Sequence, residues 1–303
     1  MKKVFSYLKD FVVEIDKRTL LLGSIFIAFA IFCNYHFHLN HRITQLPDAW
    51  QYICWYLIFL VAFAIGYLLS YLFGHSNIFK HKRSFALLLI APAIFSWKMV
   101  FNFHFNFSDN LFKNEYWNDV VYWPMKIIGV LLMLLVVHRF FDKGKPFYGV
   151  TFRDFYVKPY ALMLLIMVPL IAAASTQHDF LAMYPKLQNV DYVKQSNMGW
   201  YKILYELSYG SDFFTIELFF RGFLIMAFAK WVGKEAVIPM ALFYCTIHFG
   251  KPLGECISSY FGGMILGAVI LNNRTIFGGL MVHVGIAWLM ELGGYLGHLA
   301  ISP

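Results

Sequence analysis

The sequence predicts an all-α, polytopic membrane protein, and three observations predict it. Of 303 residues, 60% are hydrophobic, 20% aromatic and only 14% charged, and the mean hydropathy is +0.59. A soluble domain has nowhere to hide that much apolar surface. The apolar residues also come in long unbroken runs, near the length a helix needs to cross a hydrocarbon core. They lack the short apolar–polar alternation of a membrane β-barrel. Finally, Lys and Arg collect between the runs, as in chains that set their orientation by charge.

Nine candidate spans follow, at roughly 19–35, 50–73, 84–104, 119–138, 159–176, 211–229, 236–249, 255–272 and 276–299. Ahead of the first, Met1 to Arg18 alternates charged and apolar residues. That pattern predicts a segment on the cytoplasmic membrane surface and no cleavable leader. With the N-terminus inside, sixteen Lys and Arg fall in inside segments and five outside, while Lys98, Lys126, Lys202 and Arg221 lie in spans. The asymmetry predicts an integral protein of the cell membrane with its N-terminus in the cytoplasm. His36, His38 and His41, and the alternating Phe101–Phe107 stretch, read as interfacial anchoring. The loop of about 177–210 is the longest and ends in Trp200–Leu207, an expected interfacial amphipathic helix.

Glycine divides the chain. Two thirds of its 21 glycines fall in residues 200–303. Small residues let helices approach closely in lipid, and Gly263-xxx-Gly267 and Gly293-xxx-Gly297 have the required spacing. The expected organisation is therefore an interfacial segment over 1–18, N-terminal transmembrane helices over 19–199, and a packed four-helix core over 200–303. The aromatic-rich N-terminal spans are expected to form a lipid-facing surround. No loop is long enough to fold alone, so one domain is expected. The net charge of +8 sits between spans, without a basic–aromatic motif, so nucleic acid is not an expected partner. Cys33, Cys54, Cys245 and Cys256 show no CxxC spacing, which argues against a disulfide framework or a thiolate metal site.

The chemistry concentrates in the last third. Glu217 and Arg221 lie one helical turn apart inside an apolar run, where a charge at the bilayer centre costs about 2.5–3.5 kcal/mol. Two later spans each carry a histidine, His248 and His283. Such a Glu–Arg pair can neutralise itself and fix packing, and a membrane histidine can be an interhelical hydrogen-bonder. Glu217, His248 and His283 together could also hold zinc, but no HExxH-type motif accompanies them and no metal is expected.

Three elements in order give this region its resemblance. Ile216-Glu217-xxx-Arg221, Tyr244-xxx-His248 and His283-xxx-Ala287 resemble the signature of the CPBP family of intramembrane proteases. That family includes CAAX prenyl endopeptidases and bacteriocin-processing or immunity (Abi-like) proteins. Its signature runs Glu-Glu-xxx-Arg, Phe-xxx-His, then His-xxx-Asn or Asp, and the resemblance covers about 210–300. It implies an intramembrane endopeptidase acting on a membrane-associated peptide or membrane-protein substrate, with Glu/His-activated water and no cofactor. The first Glu and the second motif's His would activate water, and the third motif's His and Asn would hold the oxyanion.

The chain departs from that pattern twice, with Ile216 for the first Glu and Ala287 for the Asn. Asp212 precedes Ile216 by four residues and Glu291 follows Ala287 by four, each on the same helix face one turn away. The expected catalytic residues are Glu217, Arg221, His248 and His283, supported by Asp212, Glu255 and Glu291. Asp212 would otherwise cap the start of its helix, and Glu255, after Pro252, could cap the next. By the span order, Asp212, His248, Glu255 and Glu291 fall toward one outer end. The alternative, raised by Ile216 and Ala287, is a catalytically inactive CPBP-like scaffold or immunity-type protein. A proton-coupled carrier ranks third, because no inverted repeat relates the halves. Oligomeric state is not fixed by the sequence.

Overall fold

A computed structural model describes residues 2–74, 78–191 and 198–301, and all their regular structure is helical. The helices are α1 (Lys2–Glu14), α2 (Lys17–His36), α3 (Leu39–Thr44), α4 (Asp48–Leu72), α5 (Lys82–Val100), α6 (Leu111–Phe141), α7 (Val157–Ala174) and α8 (His178–Leu181). They continue with α9 (Met198–Ile216), a π-helical segment (Glu217–Ile225), α10 (Met226–Val232), α11 (Val237–Thr246), α12 (Leu253–Asn273) and α13 (Phe277–Ile301). Seven of them, α2, α4, α5, α6, α7, α12 and α13, are long and apolar enough to cross a membrane.

The other two expected spans differ. The run at 211–229 is divided between the end of α9, the π segment and α10, and that at 236–249 holds only the ten-residue α11. Ten residues rise about 15 Å, half of a hydrocarbon core. Every residue of the π segment and of α11 is buried. These runs are apolar all round because protein encloses them, and a hydropathy pattern does not separate that from lipid contact.

Two compact units share the chain. The first holds residues 1–101, 133–155 and 217–277, the second 102–132, 156–216 and 278–303. In the first, α11 packs against α2, α4 and α12. The N-terminal spans are therefore more than a lipid-facing surround. Phe59 and Phe63 of α4 and Phe95 of α5 are buried, their rings packed on Phe243 with centroids 4.8, 5.6 and 6.0 Å away. Phe95 also meets Phe219 and Phe220 of the π segment, both at 4.9 Å. The opposite side of α4 exposes Trp50, Ile53, Leu57, Val61 and Leu68, the spacing of a lipid-facing stripe.

Glycines set the close approaches. A Cβ on Gly66 would lie 2.6 Å from the Pro239 backbone, which locks α4 onto α11. Gly263 and Gly267 of α12 face Tyr244 and Met240 of α11, so the first small-residue pair forms a helix seam. In the second unit, Gly293 and Gly297 of α13 face Ile171 of α7 and Leu181 of α8.

α5 stops at Val100, four residues short of the expected boundary, and the Phe101–Phe107 stretch runs non-helical. Within the second unit α6 replaces its missing partners. Asn118 accepts from Phe105 N–H at 2.8 Å and donates to its carbonyl at 2.9 Å, while Asn114 accepts from Phe107 N–H at 2.6 Å.

Gly66→Ala is expected to destabilise the protein by about 1–3 kcal/mol, because the added methyl meets backbone and not a yielding side chain. Gly262→Ala, whose Cβ would enter open space, is the control and should be neutral or stabilising. Thermal unfolding in detergent compares the two.

Candidate active site

The π segment opens with Glu217, and Arg221 follows one turn on. Both side chains are 0% exposed, with Arg221 Nη1 3.3 Å from Glu217 Oε1. The guanidinium also lies over the Tyr244 ring of α11, 4.0 Å from its centroid. Carboxylate and π-face together offset a buried positive charge that neither solvent nor lipid could stabilise. A π turn within a helix is uncommon and concentrates at functional sites.

Gly222, next to Arg221, lets a loop in. Its Cβ would lie 2.5 Å from the Tyr148 carbonyl, so the 142–151 loop rests on the π segment only because glycine stands there. The loop is held by Asp142, which is buried and accepts from Lys230 Nζ at 2.7 Å and from the Tyr148 hydroxyl at 3.2 Å. Burial pushes the Tyr148 phenol up, with Asp142 adding to the shift, and lowers the Lys230 ammonium against the pull of Asp142.

His248 sits in the turn after α11. Its Nδ1 lies 2.9 Å from the Tyr244 carbonyl, an acceptor left over at the helix end. A carbonyl only accepts, so Nδ1 carries the hydrogen and Nε2 carries the lone pair in the neutral ring. The Tyr244 ring stands edge-on to the imidazole at 4.7 Å. Tyr244 thus touches Arg221 with its ring and His248 with both ring and carbonyl. Around the turn, Asn34 of α2 donates to the Phe249 carbonyl at 2.8 Å, and the Tyr35 hydroxyl to that of Lys251 at 2.5 Å. Glu255 occupies the first turn of α12, where a carboxylate suits the helix dipole, and pairs with Lys251 at 3.4 Å.

The remaining predicted residues lie in the second unit. His283 of α13 stacks on Phe213 with ring centroids 5.9 Å apart. Asp212 does not start a helix, since α9 begins fourteen residues earlier. The capping alternative therefore falls. Glu291 accepts from the backbone N–H groups of Lys186 and Leu187 at 2.8 and 3.1 Å, holding the 3₁₀ turn over Lys186–Val190. Ile216 and Ala287 are 8% and 3% exposed, apolar and enclosed.

Two polar residues of this unit were placed from the sequence but not read as functional candidates. Lys126 of α6 is 2% exposed, with Nζ 3.1 Å from the Tyr122 hydroxyl and 4.4 Å from that ring's centroid. Its signal was plain, a lone lysine inside an apolar run. Glu206 lies beside Glu291, and burial first, then the Glu291 charge, pushes its carboxyl up to about 8. Among the described residues no three His, Cys, Asp or Glu side chains gather closely enough to hold a metal ion.

The seven long apolar helices make this an integral membrane protein. Residues 210–289 match the family model described as Type II CAAX prenyl endopeptidase Rce1-like, which bears out the CPBP resemblance over about a quarter of the chain. The match associates the segment with membrane-embedded peptidases that act on peptides. No curated protein and no solved structure matches the chain.

Arg221→Met strands the buried Glu217 carboxylate and is expected to destabilise the protein by about 3–5 kcal/mol. Adding Glu217→Gln should recover much of that loss, which a double-mutant cycle of thermal unfolding would show. Additive losses would mean that the two side chains do not act as a pair. The raised Glu206 carboxyl carries a pH signature. The folded state holds this proton more tightly than the unfolded state, so its stabilising contribution is full below the ordinary carboxylate range and is lost as pH rises toward about 8. Unfolding midpoints of Glu206→Gln should fall less than those of the wild type between pH 5 and 8.

Proposed function

We propose that this protein is an intramembrane endopeptidase that hydrolyses a membrane-associated peptide, with His248 and the Glu217 carboxylate activating water. The observation that carries the proposal is the fixed ring of His248. Its Nδ1 faces the Tyr244 carbonyl, which fixes the ring and makes Nε2 the basic nitrogen of the neutral tautomer, the proposed acceptor of a proton from water. Arg221 holds the Glu217 side chain in place beside the same Tyr244.

In the proposed reaction Nε2 removes a proton from water as its oxygen attacks the scissile carbonyl carbon. The carbonyl π electrons move onto oxygen, and the imidazolium then returns the proton to the leaving amine as the C–N bond breaks. His283 is the proposed N–H donor to the oxyanion, on the strength of its place in the third motif. Asp212 is the proposed substitute for the carboxylate missing at Ile216. Glu255, at the start of α12, and Glu291, which holds the 186–190 turn, are the further residues proposed to take part. The distribution of Lys and Arg supports a cytoplasmic N-terminus in the cell membrane.

The test is a catalogue of protein N-termini in membranes containing the wild-type chain or His248→Ala at equal, folded abundance. New termini with the wild type should fall by about 10²–10⁴-fold in the variant, the usual worth of a general base. Identical catalogues would overturn the proposal and leave an inactive scaffold.

A further inference from the structure

Cys245 and Cys256 flank the turn that carries His248 and Glu255, one in α11 and the other in the first turn of α12. Both are free thiols and both are 0% exposed. Each sulfur approaches the other residue's backbone: Cys245 Sγ lies 3.3 Å from the Cys256 carbonyl, and Cys256 Sγ lies 3.9 Å from the Cys245 carbonyl. The two thiols are also within hydrogen-bonding reach of each other. This closeness follows from the fold, since the Gly263 and Gly267 seam draws α12 against α11.

We propose that Cys245 and Cys256 are a redox-convertible pair whose oxidation to a disulfide closes the turn carrying His248. The oxidant is a small, membrane-permeant peroxide. One thiolate attacks the peroxide oxygen, the O–O bond breaks, and a sulfenic acid and one water form. The second thiolate displaces the hydroxyl of that sulfenic acid, which leaves as a second water and completes the S–S bond. Two thiols lose two electrons and two protons, and one peroxide becomes two waters.

Buried cysteines often serve only as small hydrophobic side chains. What sets this pair apart is its position around a turn already tied on its other side. Asn34 and Tyr35 of α2 hold the carbonyls of Phe249 and Lys251, and the Tyr35 hydroxyl also reaches the Cys256 thiol. A disulfide would add a covalent tie at the open base of the turn and restrict the swing of His248.

The full-length protein in lipid nanodiscs is treated separately with hydrogen peroxide and with diamide, then denatured, alkylated with N-ethylmaleimide and digested for mass spectrometry. The expected result is a peptide cross-linked at Cys245 and Cys256, two alkylated thiols in place of four, and return to four after phosphine reduction. Cys33 and Cys54 should be alkylated throughout. Amide hydrogen exchange across 247–255 should slow several-fold in the oxidised protein and not in oxidant-treated Cys256→Ser. Four alkylated thiols after both oxidants, or cross-links that use Cys33 or Cys54 instead, overturn the proposal. So does a Cys245–Cys256 disulfide that leaves the exchange of the turn unchanged.

Discussion

A carboxylate and a guanidinium with no exposed surface, 3.3 Å apart in a π-helical turn, set the terms for the first unit. Neither charge is tolerable there alone, and the pair needs an enclosure that excludes lipid while leaving its geometry intact. The aromatic residues supply it. Phe219 and Phe220 point the π segment into the rings of Phe95 and Phe243, while the Tyr244 ring faces the guanidinium. The pair and its shell depend on each other, because the rings give the ions a polarisable setting and the ions fix which turn of the helix the rings surround.

Tyr244 links this enclosure to the proposed base. One residue uses its ring on Arg221 and its carbonyl on His248, so the orientation of the imidazole is set by the same helix that covers the ion pair. In the second unit, by contrast, buried acidity is handled by backbone. Glu291 is satisfied by two loop N–H groups, and Glu206 beside it is held toward its neutral form. The first arrangement pairs two buried charged side chains. The second suppresses charge.

The membrane class was legible because it rests on composition and run length, which burial does not alter. Seven spans were legible for the same reason. The runs at 211–229 and 236–249 were not, since Phe, Leu and Ile read alike whether lipid or protein surrounds them. Asp212 was misplaced because the expected interfacial helix over Trp200–Leu207 was taken as separate from the span beginning at 211, whereas Tyr116 and Trp123 of α6 pack on Tyr201 and Tyr205 and α9 runs unbroken from Met198 to Ile216. The Glu217–Arg221 pairing was readable from spacing alone. The π segment was not, because its geometry comes from tertiary packing, including the Tyr148 carbonyl against Gly222. The proton position on His248 likewise needed a turn geometry that no motif encodes.

The two departures at Ile216 and Ala287 weigh differently against catalysis. Losing one oxyanion donor costs a rate factor of about 10²–10³, and losing a general base about 10²–10⁴. Even together, about 10⁴–10⁷, they leave room within the accelerations of about 10⁶–10¹⁷ that enzymes reach. At Ile216 the loss also falls beside groups that remain: Glu217 is still paired with Arg221, and the His248 ring is still fixed on the Tyr244 carbonyl. A chain released from catalysis would gain by replacing a buried ion pair with apolar residues of similar volume, because such replacements are often neutral or stabilising. The isoleucine and the alanine are such apolar residues, but the ion pair itself stays. That retention is the physical argument for a working base.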